Sequence, residues 1–216
     1  MSDQAILGLI LILILLIPIA FMLLVAMKDR KRAAKWRASF SETQQYDLLD
    51  LVKYGFVTAR ATGQTITGIT AELNNRTDRR IYGLISPGTY FIASGAHQNM
   101  VIYGTNRFVL YRNETKRIVL PAACINATRP VPRDKDSFTS VAKANRALAL
   151  FLERAGGQDP MVIQAGVWAI TDDYSAAQIQ RTLVTTVQGH KQPAISLAQI
   201  AAAKRILNEL HISNRL

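Results

Sequence analysis

The chain has 216 residues, of which 49% are hydrophobic and 19% charged, so its composition excludes a disordered protein. Its 26 Lys and Arg residues outnumber its 15 Asp and Glu residues, and the net charge is +11. A single cysteine excludes an internal disulfide and a cysteine-based zinc cluster.

The first predicted element is a long apolar helix. Residues 4–27 carry no charged side chain and exceed the about 20 residues that a helix needs to cross a bilayer core. This run is longer than the about 7–15 apolar residues of a cleaved signal peptide, and no Lys or Arg precedes it. We therefore predict a permanent transmembrane anchor with a basic flank in residues 1–37.

The flank is strongly basic, because residues 28–37 contain six basic residues and one acidic residue and have a net charge of +5. By the positive-inside rule, this predicts a single-pass membrane protein with its amino terminus outside and its domain on the cytoplasmic side. The flank is either a topology signal alone or also a contact for anionic lipid headgroups, with a tryptophan as interface anchor. The residues concerned are Lys28, Arg30, Lys31, Arg32, Lys35, Trp36 and Arg37.

Residues 38–55 are expected to form a connector helix. Ser39 and Glu42 match a capping box, and apolar residues then recur at helical spacing. Gly55 fits the end of this helix, because glycine commonly terminates helices.

Residues 56–135 have the pattern of a β-sheet. Six or seven short segments rich in β-branched and aromatic residues are separated by turn-forming sequences such as NNRTD, SPG and GTN. Strands at a spacing of roughly 8–12 residues are typical of an antiparallel sandwich or a small barrel. We predict a β-sandwich-like region here.

Residues 136–216 are predicted to be a helical region packed on the sheet. Amphipathic patterns cover residues 137–155, a segment that opens at Asp159, and two segments capped by Ser175 and Ser196. Strands followed by helices indicate an α+β fold. The complete prediction is an α+β protein with an amino-terminal transmembrane helix, an antiparallel β-sandwich-like domain and a small layer of helices.

The usual catalytic motifs are missing from the sequence. It contains no Walker loop, GxGxxG, HExxH or GxSxG pattern, and its three histidines lack the spacing of paired metal ligands. No helix-turn-helix, zinc-finger or RNA-binding signature is present either. We therefore expect no enzymatic activity, no cofactor and no metal, and no motif favours a nucleic-acid partner.

Two apolar segments each contain one residue whose side chain could take part in a covalent reaction. Cys124 lies in LPAACINATRP and Gln164 lies in VIQAGVWAITDD. These segments resemble the two motifs of bacterial surface thioester domains, with Ile125 after the cysteine and Val167 and Trp168 after the glutamine. The resemblance implies a side-chain thioester between Cys124 and Gln164 that reacts with an amine on a target. The alternative is a buried cysteine that acts as a small hydrophobe and a core glutamine with satisfied hydrogen bonds.

These patterns together favour a non-catalytic binding or accessory module, a subunit or scaffold of a larger membrane assembly. The expected partners are the lipid bilayer and other membrane or peripheral proteins. Covalent attachment through Cys124 and Gln164 is one alternative. The other is recognition of anionic lipid or nucleic acid by a basic sheet face, because 20 basic residues oppose 13 acidic ones beyond Arg37.

Overall fold

A computed structural model describes residues 3–216 of the protein, apart from the side chains of residues 3–15 and of residue 187. The chain forms two compact units, Met1–Ser41 and Glu42–Leu216. The described residues contain six helices and eleven strands and belong to the α+β class, as the sequence predicts.

The first unit consists of one helix, α1 (Asp3–Ala38), with Pro18 inside it. The helix continues through the whole basic flank, and its end is capped by Ser39, whose backbone N–H and hydroxyl both donate to the Trp36 carbonyl. The rings of Trp36 and Phe40 lie 6.2 Å apart. The segment predicted as a membrane anchor is therefore one continuous helix with its basic flank.

The predicted transmembrane anchor is wrong. In the part of the chain that the structure describes, no helix combines the length and the apolar content that crossing a membrane requires. The described side chains of the apolar run span only residues 16–27 before Lys28, and about 20 residues are needed. Residues 4–15 of the predicted span lie outside the described side chains. The predicted single-pass membrane localisation with a cytoplasmic domain is wrong for the same reason.

The second unit begins with a short strand and helix and continues through a sheet region into further helices. Its elements are β1 (Gln45–Asp47), α2 (Leu48–Lys53), β2 (Val57–Thr65), β3 (Gly68–Asn75), β4 (Ile81–Ile85), β5 (Thr89–Ala93), β6 (Asn99–Ile102), β7 (Asn106–Leu110), β8 (Thr115–Ile125), β9 (Ser137–Lys143), α3 (Arg146–Ala155), α4 (Pro160–Thr171), α5 (Ala176–Thr182), β10 (Val184–Val187), β11 (His190–Pro193) and α6 (Leu197–Glu209).

Six strands form a closed antiparallel barrel in the order β2-β3-β8-β6-β5-β9, so the predicted β-sandwich is wrong. The strand that closes the barrel is β9, which pairs with β5 along most of its length and with β2 through Phe138 and Ser137. A sandwich and a small barrel share the same alternation of buried and exposed side chains. The sequence pattern of the single strands therefore does not distinguish them.

The closing strand occupies a segment that the sequence pattern assigns to a helix. Residues 137–143 are extended, and the fully buried ring of Phe138 faces the core. The helix α3 begins only after Asn145, whose side chain accepts a hydrogen bond from the backbone N–H of Leu148. The amphipathic helical pattern of this region therefore belongs to α3 alone.

Outside the barrel, a small sheet has the order β1-β4-β7, with β1 parallel and β7 antiparallel to β4. Its first strand lies within the segment expected to be a connector helix, so only α2 is helical there, capped by Asp47. On the other side of β4, the Phe108 ring covers Gly83 so closely that a Cβ would collide with it. Glycine is therefore needed for this cross-strand packing.

The helices α3, α4 and α6 pack together, and α4 also packs against β8. The predicted caps are confirmed, because the side chains of Asp159, Ser175 and Ser196 each accept a hydrogen bond from the first turn of a helix. The aromatic ring of Phe151 fills the space where Gly166 lacks a Cβ, so α3 and α4 approach closely. This packing buries α4, which carries Gln164.

Candidate functional site at Cys124 and Gln164

The site begins with strand β8, which changes partners along its length. One edge of β8 pairs with β3 only as far as Pro121, opposite Gly68, where β3 begins. Its other edge pairs with β6, where Met100 lies opposite Cys124. At Cys124, the edge on the β3 side therefore has no strand beside it.

The side chain of Gln164 fills this open edge. The backbone N–H of Cys124 donates to Oε1 of Gln164 over 2.8 Å, and Nε2 of Gln164 donates to the Cys124 carbonyl over 2.9 Å. Both residues are fully buried. Because buried backbone groups need partners, the glutamine amide acts here as a substitute for a neighbouring strand.

Local helix chemistry places this glutamine in the second turn of α4. Asp159 caps the helix, since its carboxylate accepts from the backbone N–H of Met161, and Pro160 occupies the first turn. Four residues after Gln164, Trp168 is also fully buried. Its indole Nε1 is buried and has no hydrogen-bond partner among the described residues.

The thiol of Cys124 is enclosed by two neighbouring groups. Its Sγ lies 3.3 Å from Sδ of Met100 and 3.8 Å from the carbonyl oxygen of Ile66. Because the backbone groups of Cys124 bond to Gln164, Cys124 and Met100 form a non-hydrogen-bonded pair, in which side chains approach closely. Ile66 belongs to the hairpin turn between β2 and β3, so the tip of that hairpin covers the sulfur.

Burial also sets the protonation state of this cysteine. It raises the pKa of the Cys124 thiol to about 12, because the charged thiolate is disfavoured without solvent. The group is therefore a neutral thiol at neutral pH, and since the thiolate is the reactive form, it is protected from external electrophiles.

A second contact joins α4 to the chain that follows β8. Oδ1 of Asp172 accepts from the backbone N–H of Ala127 over 2.9 Å, while its Oδ2 accepts from the Thr171 hydroxyl over 2.7 Å. Asp172 is half-buried at the carboxyl end of α4, and together with Gln164 it holds this helix at two points.

The other predicted site residues lie apart from this pair. The basic flank and Trp36 belong to α1 in the other compact unit, and their contact with lipid headgroups stays a prediction. His97 is buried near Asp136, with Nδ1 and Oδ1 3.8 Å apart, whereas His190 and His211 are exposed. Across the described portion of the chain, no group of His, Cys, Asp and Glu side chains could hold a metal ion.

The Cys124–Gln164 contact joins two residues that are forty positions apart in the sequence. The glutamine carboxamide, which is an acyl group, therefore lies beside a residue that carries a thiol. The site that contains both is closed to solvent. Comparison of the chain with models of protein families, with curated proteins and with solved structures gave no match. The function must therefore be argued from this geometry and its chemistry.

Proposed function

We propose that this protein is a non-catalytic binding module that attaches covalently to a target amine through a thioester between Cys124 and Gln164. The observation that carries the proposal is the contact between these two buried residues, since the Gln164 amide lies directly on the Cys124 backbone. Two segments with weak individual patterns meet at one place, and this proximity supports a thioester between their side chains.

The chemistry balances without an oxidant or a cofactor. Sγ of Cys124 attacks Cδ of Gln164, the S–C bond forms, the bond from Cδ to Nε2 breaks, and the thiol proton leaves with the nitrogen as ammonia. A target amine then attacks the same acyl carbon. A C–N bond forms, the C–S bond breaks, and the sulfur takes up the proton lost by the amine, so that Cys124 is again a thiol.

The hydrogen bonds at the site favour the first of these steps. The backbone N–H of Cys124 points at Oε1 of Gln164, where negative charge develops as the acyl carbon is attacked. A fixed donor at such a position stabilises the transition state of acyl transfer, as in an oxyanion hole. The Cys124 carbonyl meanwhile holds Nε2, the leaving nitrogen, in a defined position.

Burial has two opposing effects on this chemistry. The raised pKa of the Cys124 thiol slows formation of the bond, because the neutral thiol is the weaker nucleophile. Once formed, however, the thioester is shielded from hydrolysis, because a closed site excludes water. Both effects fit a thioester that forms once and slowly and then persists until an amine reacts with it.

Access for the target amine must come through local opening of the cover over the sulfur. The nearest such cover is the hairpin turn between β2 and β3, where the Ile66 carbonyl lies 3.8 Å from Sγ. Segments at hairpin tips open at a lower free energy than a barrel core. The hairpin tip therefore determines how fast an amine reaches the acyl carbon.

The proposal is tested by the intact mass of the purified protein before and after treatment with methylamine. We expect a mass lower than that of the sequence by one ammonia, no labelling of Cys124 by iodoacetamide in denaturant, and addition of one methylamine with release of the thiol. The matched control is Cys124→Ser, which keeps the size of the side chain and should show the full mass and no adduct.

A full mass, a thiol that is labelled in denaturant and no methylamine adduct would overturn the thioester. The pair would then be a structural lock between α4 and β8, and any binding by the protein would be noncovalent.

A further inference from the structure

A groove of about 490 Å³ lies on the outer surface of the barrel, apart from the Cys124 site. It runs across four neighbouring strands, β9, β2, β3 and β8. Its floor is formed where β2 and β9 pair through only two residue pairs, Ala61 with Phe138 and Thr62 with Ser137. A groove of this size falls within the about 300–1,000 Å³ that is typical of small-molecule sites.

Charged side chains form a row across one end of the groove. Glu72 on β3 lies opposite Arg60 on β2 and opposite Arg117 on β8, so the three side chains stand side by side on the outer face. Arg117 forms an ion pair with Glu72, because its Nε lies 3.1 Å from Oε2 of that residue. The row carries one more positive than negative charge.

In this row, Arg60 is the charged residue that forms no ion pair within the described part of the chain. Its side chain is exposed and has no hydrogen-bond or ion-pair partner among the residues that the structure describes. A guanidinium group offers five N–H donors and pairs best with a planar or tetrahedral oxyanion, such as a carboxylate or phosphate. The groove therefore contains a charged donor without a partner.

The next row consists of hydroxyl-bearing side chains. Thr62 faces Thr70 on one side and Ser137 on the other, and Thr139 follows on β9. Hydroxyl groups donate and accept hydrogen bonds, so they match a ligand that carries hydroxyl groups of its own. Because these side chains stand on strands of a closed barrel, their spacing is set before a ligand arrives.

We propose that this groove binds a small hydroxylated anion, a sugar acid or sugar phosphate, with its oxyanion on Arg60 and its hydroxyl groups on the threonine row. The site is separate from Cys124 and does not depend on the thioester. Glu72 sets its selectivity, since this carboxylate repels a second negative group and keeps Arg117 occupied. A ligand with one oxyanion at its end and hydroxyl groups along its body fits this distribution.

The test is titration of the full-length ¹⁵N-labelled protein with glucuronate and with glucose 6-phosphate, with glucose as the neutral comparison. We expect the backbone amide signals of Thr62, Thr70 and Thr139 to shift with both anions and not with glucose. Arg60→Gln should weaken binding about tenfold or more, as expected for loss of a charge-assisted hydrogen bond. Glu72→Gln should strengthen it, because a like charge is removed.

The matched control is Arg181→Gln, which removes the same charge from an exposed position on α5 and should leave the affinity unchanged. Equal weakening by Arg60→Gln and Arg181→Gln would mean general attraction to a basic protein and would overturn the site. An absence of shifts at millimolar anion, or equal shifts with glucose, would overturn it as well. Preference for one of the two anions would identify the oxyanion as a carboxylate or a phosphate.

Discussion

At the scale of single residues, Gln164 replaces a missing strand. Its carboxamide satisfies both backbone groups of Cys124 at the point where β3 no longer pairs with β8. Leaving a buried donor or acceptor without a partner costs about 1–3 kcal/mol for each group, which is more than the net gain from one hydrogen bond. The stabilisation by this one side chain therefore exceeds what its two hydrogen bonds alone would suggest.

Relative to the methylamine-treated protein, in which residue 164 carries an amide N–H again, we expect Gln164→Leu to lower the free energy of unfolding by about 2–5 kcal/mol. The substitution removes the partners of the Cys124 N–H and C=O in a site closed to water. The measurement is urea unfolding followed by circular dichroism. The control is Gln192→Leu, an exposed position on β11, which should change stability by less than about 0.5 kcal/mol. Similar losses for the two variants would contradict the structural role of Gln164.

The protonation of Cys124 predicts a dependence of stability on pH. Burial raises the pKa of this thiol from 9.0 to about 12, so the folded protein holds the proton more tightly than the unfolded chain. Stability from this group is complete below pH 9 and is lost as the pH rises towards about 12, by about 1.4 kcal/mol for each pH unit. The experiment uses methylamine-treated protein, because Cys124 is then a free thiol whether or not a thioester had formed. This protein should show the decline in stability.

The matched variant for this experiment is Cys124→Ala, treated in the same way. The difference in unfolding free energy between the two proteins isolates the thiol, since Tyr103 and all other groups titrate in both. Tyr103 also has a raised pKa, through burial and then through the charge of Asp159, so this subtraction is necessary. A difference that stays constant above pH 9 would show that the thiol is not buried in solution.

At the scale of elements, the turn of the β2–β3 hairpin lies over the sulfur of Cys124. We expect Ile66→Ala to raise the rate of methylamine uptake about tenfold, because loss of a half-buried side chain favours opening of the hairpin by about 1.4 kcal/mol. The rate is followed by intact mass under native conditions. Gln64→Ala, at an exposed position of the same hairpin, serves as the control and should leave the rate unchanged.

The strand β9 closes the barrel, and Phe138 is its fully buried anchor. We expect Phe138→Ala to destabilise the protein by about 3–5 kcal/mol, the usual loss for a buried phenylalanine. The measurement is thermal or urea unfolding, with Val119→Ala, an exposed apolar position on β8, as the control. A loss no greater than that of the control would mean that residues 137–143 do not close the barrel.

The elements differ in how far they could be predicted. The caps at Asp159, Ser175 and Ser196 depend on residues within one helical turn, and the sequence pattern predicts them correctly. The closing strand could not be recognised, since its role depends on two partners that are distant in the sequence. In the candidate site, the resemblance indicated the Cys124–Gln164 pair, but the bonds to the Cys124 backbone follow only from the strand register.

At the scale of the whole molecule, the barrel and the helices behave as one compact unit, Glu42–Leu216. The helix α4 joins them, because Gln164 binds Cys124 at one end and Asp172 binds Ala127 at the other. One buried and one half-buried polar contact on the same helix fix both its position along β8 and its distance from this strand. The thiol and the carboxamide consequently keep their relative position only while both parts are folded.

We therefore expect a chain that begins at Glu42 to fold without residues 1–41 and to unfold in one cooperative transition. In this shorter chain Trp168 is the only tryptophan, so its fluorescence reports on α4, whereas far-ultraviolet circular dichroism reports on all elements. The two signals should give the same urea midpoint. Intact mass should again show the loss of one ammonia, because every contact of the Cys124 site lies within this unit. Two separate transitions would mean that α4 is not locked to the barrel, and the thioester geometry would then lack its support.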